Sequence, residues 1–571
     1  MENPEVAQVL EEIADLLEIQ GADPYRVRAY RSAARTVRDQ PEPLADFLRK
    51  SDRRLEDLPG IGADLAGKIR TILQTGTHPL LAELRRQVPA GVRELMRIPG
   101  VGPKRALALY QQLGVTSPAD LRRAAEEHRI CALRGFGEKT EALILRGLAV
   151  VRAGERRFLL AEAMVYAEAV LRHLQGTAGL QRVEVAGSFR RRKETVGDLD
   201  VLALGNAPGR IMDRLAAYEG LAEVLARGRT RMAVRLKNGL QLDLRVVPAA
   251  SYGAALQYFT GSRSHSIRLR QLAQELRLKL NEYGLFRGKR RVAGRTEEEI
   301  YRALGLAWVP PELREDRGEI ERARQGSLPR LVERKDLRGD LQMHTSATDG
   351  RASLEEMVEA ARQHGHQYIA ITDHSRRVTV ARGLDARRLR QQWKAIEKLA
   401  ARVRGITLLK GVEVDILPDG HLDLPDDVLR QADWVIASIH YGQRQSREQL
   451  TRRLVNAVRH PYVSAIGHPT GRIINQRPGY ELDLATVLKE AADYGCLMEL
   501  NAQPTRLDLD DTALLMARRY GVRVVINSDA HAVEELDFLE FGVYQARRGW
   551  LEADDVANTR PLPQFRRLLK R

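Results

Sequence analysis

Cysteine is almost missing from this chain: Cys131 and Cys496 are the two in 571 residues, far apart in sequence. They offer neither a disulfide framework nor a thiolate metal site. No run of 18 apolar residues occurs, which excludes an ordinary membrane-spanning helix. The opening stretch, MENPEVAQVLEEIADLLEIQG, is acidic and amphipathic, without the basic segment and apolar core of a secretory leader. Together these absences lead us to expect a cytoplasmic protein with no membrane partner. Lysine is also scarce, with 14 against 78 arginines.

The chain has a formal net charge of +16. Such an excess favours an anionic partner, nucleic acid ahead of membrane, and arginine suits it because a guanidinium meets phosphate bidentately. At 571 residues the chain exceeds one hydrophobic core, so several domains are expected. The first 150 residues read as short helices broken by a repeated phrase: LPGIGADLAGKI, IPGVGPKRALAL and LRGFGEKTEALI. The paired glycines are Gly60 and Gly62, Gly100 and Gly102, and Gly135 and Gly137. Each pair leaves backbone amides free at a helix N-terminus, where partial positive charge favours phosphate. Three such turns in a basic chain indicate helix-hairpin-helix modules that hold a DNA backbone without reading its bases.

A different pattern begins at Val183, in VEVAGSFRRRKETVGDLDVLAL. Asp198 and Asp200 are two apart on a strand, so both carboxylates face the same side. Such a pair is costly unless cations hold it, which makes it a cradle for Mg²⁺ or Mn²⁺. Asp243, in GLQLDLRVVP, alternates with leucines and supplies a third carboxylate. Three acids on neighbouring strands suit two metals, one activating a 3′-hydroxyl and one neutralising a triphosphate. Gly187, Ser188 and Arg191 supply backbone, hydroxyl and guanidinium contacts for that triphosphate.

With YFTGS (Tyr258–Ser262), these motifs resemble the family X DNA polymerases of the DNA polymerase beta type. The resemblance covers about residues 1–317 and implies Asp198, Asp200 and Asp243 as catalytic metal ligands, Asp243 nearest the primer hydroxyl. It implies that Tyr258, Phe259 and Gly261 pack against the incoming sugar and that Arg270 lies near the templating base. Ser266 stands where eukaryotic members place an asparagine that contacts the incoming base. Lys68 matches the Schiff-base lysine of the family's lyase domain, although Tyr25, Arg26 and Asp64 depart from the basic pocket around it. The expected domains are a lyase-like region (1–82), fingers (83–150), a nucleotidyltransferase palm (151–255), a thumb (256–317), a linker (318–335) and a C-terminal domain (336–571).

Histidine usage changes in that last domain, where nine of the 13 histidines fall between His344 and His531. They recur at the ends of apolar strands: YIAITDHS, WVIASIHY, VSAIGHPT and VRVVINSDAHA. Amphipathic helices alternate with these strands, which describes a (β/α) barrel with its site at one face. Mixed imidazole and carboxylate donors suit Zn²⁺, Mn²⁺ or Fe²⁺, and a multinuclear centre of that kind hydrolyses phosphoesters. This half resembles the polymerase-and-histidinol-phosphatase (PHP) domain of many bacterial family X polymerases. The resemblance implies His344, Asp349, His374, Glu413, His440, His468, Asp529 and His531 as ligands of two to three metals. Gln342 replaces the first histidine of the family's opening His-x-His, while His364, His366, His421 and His460 read as non-ligands.

The expected fold is therefore multidomain α+β and α/β: a helical helix-hairpin-helix region, a mixed-sheet palm, a thumb and a distorted PHP barrel. The expected function is gap-filling DNA synthesis in repair, on gapped or primed DNA with dNTPs. The PHP centre is expected to act as a 3′–5′ exonuclease or 3′-end phosphoesterase, with abasic-site endonuclease activity as a further expectation. A monomer associated with the nucleoid is the simplest form. Two alternatives stay open: a nuclease whose polymerase half only binds DNA, and a polymerase whose PHP domain is only structural.

Overall fold

The computed structural model describes residues 3–40, 44–48, 54–88, 92, 95–96, 98, 101–133, 135–138, 140–141, 143–145 and 157–569. The chain divides into two compact units, residues 1–156 and 157–571.

Among the described residues the first unit is helical. Helices α1 (Asn3–Ile19) and α2 (Pro24–Asp39) pack through Leu10, Ile13, Leu17, Tyr30 and Val37. The first repeat places α3 (Ala63–Thr75) after Gly62, and the second places α4 (Pro103–Leu113) after Gly102. Neither helix has a side-chain cap at its N-terminus, and both N-cap glycines have open space where a Cβ would point. Gly60 and Gly135 take φ of 75° and 87°, a left-handed conformation that glycine adopts without steric cost. Leu65, Ile69 and Ile72 of α3 turn inward, as the 3.6-residue period requires. Gly100 lies outside the described residues.

The second unit begins with a five-stranded mixed sheet. Its strands are β1 (Leu180–Val185), β2 (Asp198–Gly205), β3 (Leu221–Arg227), β4 (Arg231–Leu236) and β5 (Gln241–Val247), in the order β1-β2-β5-β4-β3. Strands β2 and β5 are parallel and the other pairs antiparallel. Between β1 and β2 the chain makes the short helix α5 (Gly187–Arg190), and after β5 it enters α6 (Tyr252–Thr260) and α7 (Arg263–Glu275). A three-stranded antiparallel sheet follows: β6 (Lys279–Asn281), β7 (Gly284–Arg287) and β8 (Arg290–Ala293). The segment 318–335, expected as a linker, carries a helix at Glu319–Gln325. Ile320, Ala323 and Leu331 of this segment join the same apolar cluster as Leu269, Leu285 and Ile300.

Seven further strands are all parallel and hydrogen-bond in chain order: β9 (Gly339–Asp340), β10 (Tyr368–Ile371), β11 (Thr407–Asp415), β12 (Trp434–Ser438), β13 (Ala465–Ile466), β14 (Leu497–Asn501) and β15 (Val524–Asn527). The Met343–Ala530 bridge and the bond from His344 N to Ala530 O (2.8 Å) nearly close this seven-stranded sheet into a barrel. Alternation along the strands separates two apolar layers. Tyr368, Ala370, Leu409, Trp434, Ile436 and Val525 form one cluster, into which α10 (Leu562–Arg566) inserts Phe565. Ile369, Ile371, Val412, Val435 and Ile526 pack in the other, with apolar residues of the surrounding helices. Two of those helices are α8 (Asp511–Arg519) and α9 (Leu539–Arg548). Among the described residues no helix is long and apolar enough to cross a membrane.

Candidate functional site

Pairing of β2 with β5 sets Asp200 directly opposite Asp243, and the two-residue repeat turns Asp198 to the same face. Asp243 is buried and receives Arg231 Nη2 at 2.8 Å and Gln241 Nε2 at 2.8 Å. Burial, followed by repulsion from Asp198 and Asp243, raises the Asp200 carboxyl to about 7. Burial and Asp243 also raise Asp198. Acids this strained by one another favour a divalent cation between them. Gly187 has φ of 61°, and a Cβ there would press on the Asp200 carboxylate, so glycine suits the start of α5 where it lies against the acids. A cavity of about 470 Å³ joins Gly187, Ser188, Arg191, Asp198 and Asp200 to Tyr258, Phe259, Gly261, Ser266 and Arg270. All the sequence-proposed nucleotide-site residues line it, together with Lys193 and Arg263, which the motif reading missed.

Every ligand position proposed for the barrel reaches one centre at the C-terminal ends of the strands. Glu413 is fully buried and lies 3.5 Å from His344, 3.1 Å from His374, 3.3 Å from His440 and 3.1 Å from His468. Asp349 lies 3.9 Å from His344, 3.4 Å from His374 and 3.5 Å from His531. Asp529 approaches His344 Nε2 at 3.1 Å. His344, Asp349, His374 and His531 form one group with donor atoms near enough to share an ion, and His374, Glu413 and His440 form another.

The donors fit metal ions on their own geometry. His344 Nδ1, His374 Nδ1, His468 Nδ1 and Glu413 Oε2 are buried and make no hydrogen bond, and His374 Nδ1 lies 3.1 Å from Glu413 Oε2. Orphaned donors of that kind are costly without a partner. Burial lowers the affinity of His440 for a proton, but Glu413 and Asp415 outweigh it and raise its pKa to about 10. A similar balance, with Asp349 and Asp529, raises His531 to about 10. His468 and Asp529 have φ of 27° and 53°, uncommon for non-glycine residues and typical of strained functional positions.

Supporting residues escaped the sequence reading. Asp415 meets His440 Nδ1 at 3.1 Å and orients its ring. Glu499, fully buried, accepts from His468 N at 2.6 Å and from Asn527 Nδ2 at 2.9 Å. Both acids sit in apolar strand text that resembles core sequence, so no local signal singled them out. Gln342 is fully buried; its amide approaches Asp529 Oδ1 at 3.4 Å and its Oε1 makes no hydrogen bond. If that oxygen is a weak substitute for imidazole, Gln342→His will raise metal content and 3′-end hydrolysis about two- to tenfold. Unchanged metal analysis and rate would show that the cluster does not need the imidazole.

Other singled-out residues lie elsewhere. His366 is buried, which lowers its pKa to about 3, and His421 is exposed; neither joins the cluster. His364 faces Asp537 at 3.6 Å and His460 faces Asp426 at 3.2 Å. In the first unit, Lys68 pairs with Asp64, and its amine sits 5.4 Å above the Tyr30 ring. Burial favours the neutral amine, but Asp64 and Tyr30 outweigh it and raise the pKa. A Schiff-base nucleophile acts as the neutral amine, the form that this pairing disfavours. His128, Cys131 and Glu141 also come together, but Glu141 already accepts from Cys131 N at 2.9 Å and meets His128 at 2.8 Å.

Comparison with known proteins matches four family models along the chain. They are a helix-hairpin-helix domain (residues 1–78), a SAM-like helix-hairpin-helix tandem (92–149), the DNA polymerase beta thumb (255–315) and the PHP domain (340–552). A Bacillus subtilis protein named DNA polymerase/3′-5′ exonuclease PolX is 38% identical over 576 residues, covering 100% of both chains. A probable phosphatase from Thermoanaerobacter is 30% identical over 231 residues, covering 38% of this chain and 89% of its own. Another from Photobacterium profundum is 29% identical over 214 residues, covering 35% and 81%.

Proposed function

Since the chain belongs to the family X DNA polymerases that carry a C-terminal PHP domain, we propose that it fills short gaps during DNA repair and trims 3′ ends at the barrel. It is an enzyme with two activities, DNA polymerase and 3′–5′ exonuclease. DNA and dNTPs are its substrates, and both centres depend on metals. We assign Mg²⁺ or Mn²⁺ to the palm and two to three Zn²⁺, Mn²⁺ or Fe²⁺ to the barrel. The observation that carries the reading is the coexistence in one chain of two separate acid-rich centres, one on β2 and β5 and one at the barrel mouth.

At the palm, cations held by Asp198, Asp200 and Asp243 would acidify the primer hydroxyl and offset triphosphate charge. Ser188 and Arg191 hold the triphosphate through hydroxyl and guanidinium contacts. Tyr258 and Phe259, whose rings meet edge to face at 5.1 Å, form the wall against the sugar. Gly261 keeps that wall open, Ser266 lies beside the base, and Arg270 extends toward the template. The backbone amides of the glycine turns at Gly60–Gly62, Gly100–Gly102 and Gly135–Gly137 hold the DNA backbone.

At the barrel, the metals held by the eight proposed ligands would supply hydroxide near neutral pH and stabilise phosphorane charge. Glu413 and Asp349 bridge the imidazoles, while Asp415 and Glu499 fix His440 and His468 from behind. A trimmed end presents the hydroxyl that synthesis needs, which gives the fusion a chemical logic. Abasic-site cleavage is a further proposed use of the same centre.

The test is purified protein on gapped DNA with a labelled primer, paired with metal analysis. With dNTPs and Mg²⁺ the primer should extend to the gap end; without dNTPs it should shorten from the 3′ side, with bound transition metal in the preparation. Shortening without extension would favour the nuclease-only alternative, and extension without shortening the structural-barrel one.

A further inference from the structure

The five-residue turn Arg190–Glu194, which leaves the start of the polymerase centre, is gripped almost side chain by side chain. Arg190 pairs with Glu297 at 2.8 Å. Arg191 Nε pairs with Glu315 at 3.0 Å, and Arg192 stacks 4.2 Å from the Tyr544 ring. Glu194 meets Arg472 at 2.7 Å. Tyr544 and Arg472 belong to the barrel half of the chain. From that half, Arg548 at the end of α9 donates to the carbonyl of Arg191 at 2.8 Å and to Glu315 at 3.1 Å. Its other amino group pairs with Asp511 at the start of α8, and Arg317 meets the same carboxylate at 3.2 Å.

We propose that Arg548, set by Asp511 and Glu315, is a positioning residue of the polymerase centre: it locks Arg191 for the incoming triphosphate, so the PHP barrel is a working part of the nucleotide site. The proposal rests on the reading of Arg191 as a triphosphate contact. Arg548 has 1% side-chain exposure, and one guanidinium there fixes both the main chain of Arg191 and the carboxylate that aims its side chain. Nη1 makes both of these bonds while Nη2 pairs with Asp511, a threefold hold that suits the fork of arginine.

Charge supports the same conclusion. Four cations, Arg191, Lys193, Arg317 and Arg548, surround two carboxylates, Glu315 and Asp511. The cluster is largely buried, and although Asp200 offsets part of the Arg191 charge, its cations still outnumber its carboxylates, which favours an added anion. Arg191 and Lys193 both line the cavity that holds Asp198 and Asp200, so an entering polyphosphate would supply that anion. Lys193 is thereby a second contact for it.

The test measures single-nucleotide insertion into gapped DNA by the full chain, with dNTP titrated and 3′-end digestion followed on the same preparations. Arg191→Ala should raise KM for dNTP about thirtyfold, and Arg548→Met and Asp511→Asn about tenfold each, with kcat within about threefold. Digestion and the KM for DNA should stay at wild-type values. Arg548→Lys should recover part of the loss, and Arg191→Ala/Arg548→Met should be no worse than Arg191→Ala alone. An unchanged KM in Arg191→Ala would remove the triphosphate reading itself. A raised KM there, with Arg548→Met and Asp511→Asn unchanged or their effects adding to it, would overturn the strut alone. If Arg548→Met loses both activities through misfolding, Asp511→Asn and Arg548→Lys decide by the same criteria.

Discussion

Replacing Asp243 with alanine is expected to reduce primer extension about a thousandfold or more while 3′-end digestion continues at the wild-type rate. Asp243 faces Asp200 across β2 and β5, the position from which a carboxylate can share a cation with its neighbour. Its present partners are Arg231 and Gln241. The Arg231 side chain is 54% exposed, so losing Asp243 returns that guanidinium to water instead of stranding it in the core. A large structural collapse is therefore not expected, and retained digestion on the same preparation verifies that the chain is folded. Persistent extension by Asp243→Ala would remove the assignment of the palm centre. Loss of extension with digestion intact would also dispose of the nuclease-only alternative, because that reading needs no synthesis to lose.

The second large effect is expected from Glu413→Gln. Glutamine keeps the shape of the side chain and deletes only its charge. That charge faces four imidazoles within 3.5 Å, more than any other carboxylate of the cluster. Burial opposes ionisation of Glu413, yet the neighbouring His374 and His440 hold its pKa well below the usual carboxylate range. Removing it should lower bound metal and cut 3′-end digestion about a thousandfold, with gap filling unaffected. Elemental analysis and the two assays on one preparation measure all three. Digestion at wild-type rate would place the nuclease elsewhere or in a contaminant. Loss of gap filling alongside digestion would mean that the barrel centre and the palm are coupled more widely than through Arg548.

Much of both centres was legible in sequence because their ligands sit in repeated local contexts. Asp198 and Asp200 are two apart on one strand, and the period of a strand brings them together without help from elsewhere. The barrel histidines each end an apolar strand, and parallel strands in chain order gather such ends at one mouth. Lys68 was legible as a motif match, but its chemistry was not. The carboxylate of Asp64, one helical turn away, pairs with the amine and raises its pKa.

The barrel acids that support the ligands were hidden for a different reason. Asp415 and Glu499 alternate with apolar neighbours on buried strands, and in text they are indistinguishable from occasional polar residues of a sheet. Only the closure of the barrel turns them toward His440 and His468. The linker expected at 318–335 failed to look structured because its charges dominate its composition. Its few apolar residues suffice once a neighbouring core offers them burial.

By itself, then, the sequence determined which groups are present: three acids on neighbouring strands, glycine turns, and eight donor-type residues that the family resemblance singles out. These depend on residue type and short spacing, which local geometry converts directly into a shared face. Tertiary structure alone decided what holds those groups in place. Arg548 meets Arg191 across 357 residues. Neither residue's neighbours encode that contact, because it is created when two separately built apolar cores bring α9 against the turn at Arg190–Glu194. Charge pairs formed this way follow from packing, and packing is a property of the whole chain.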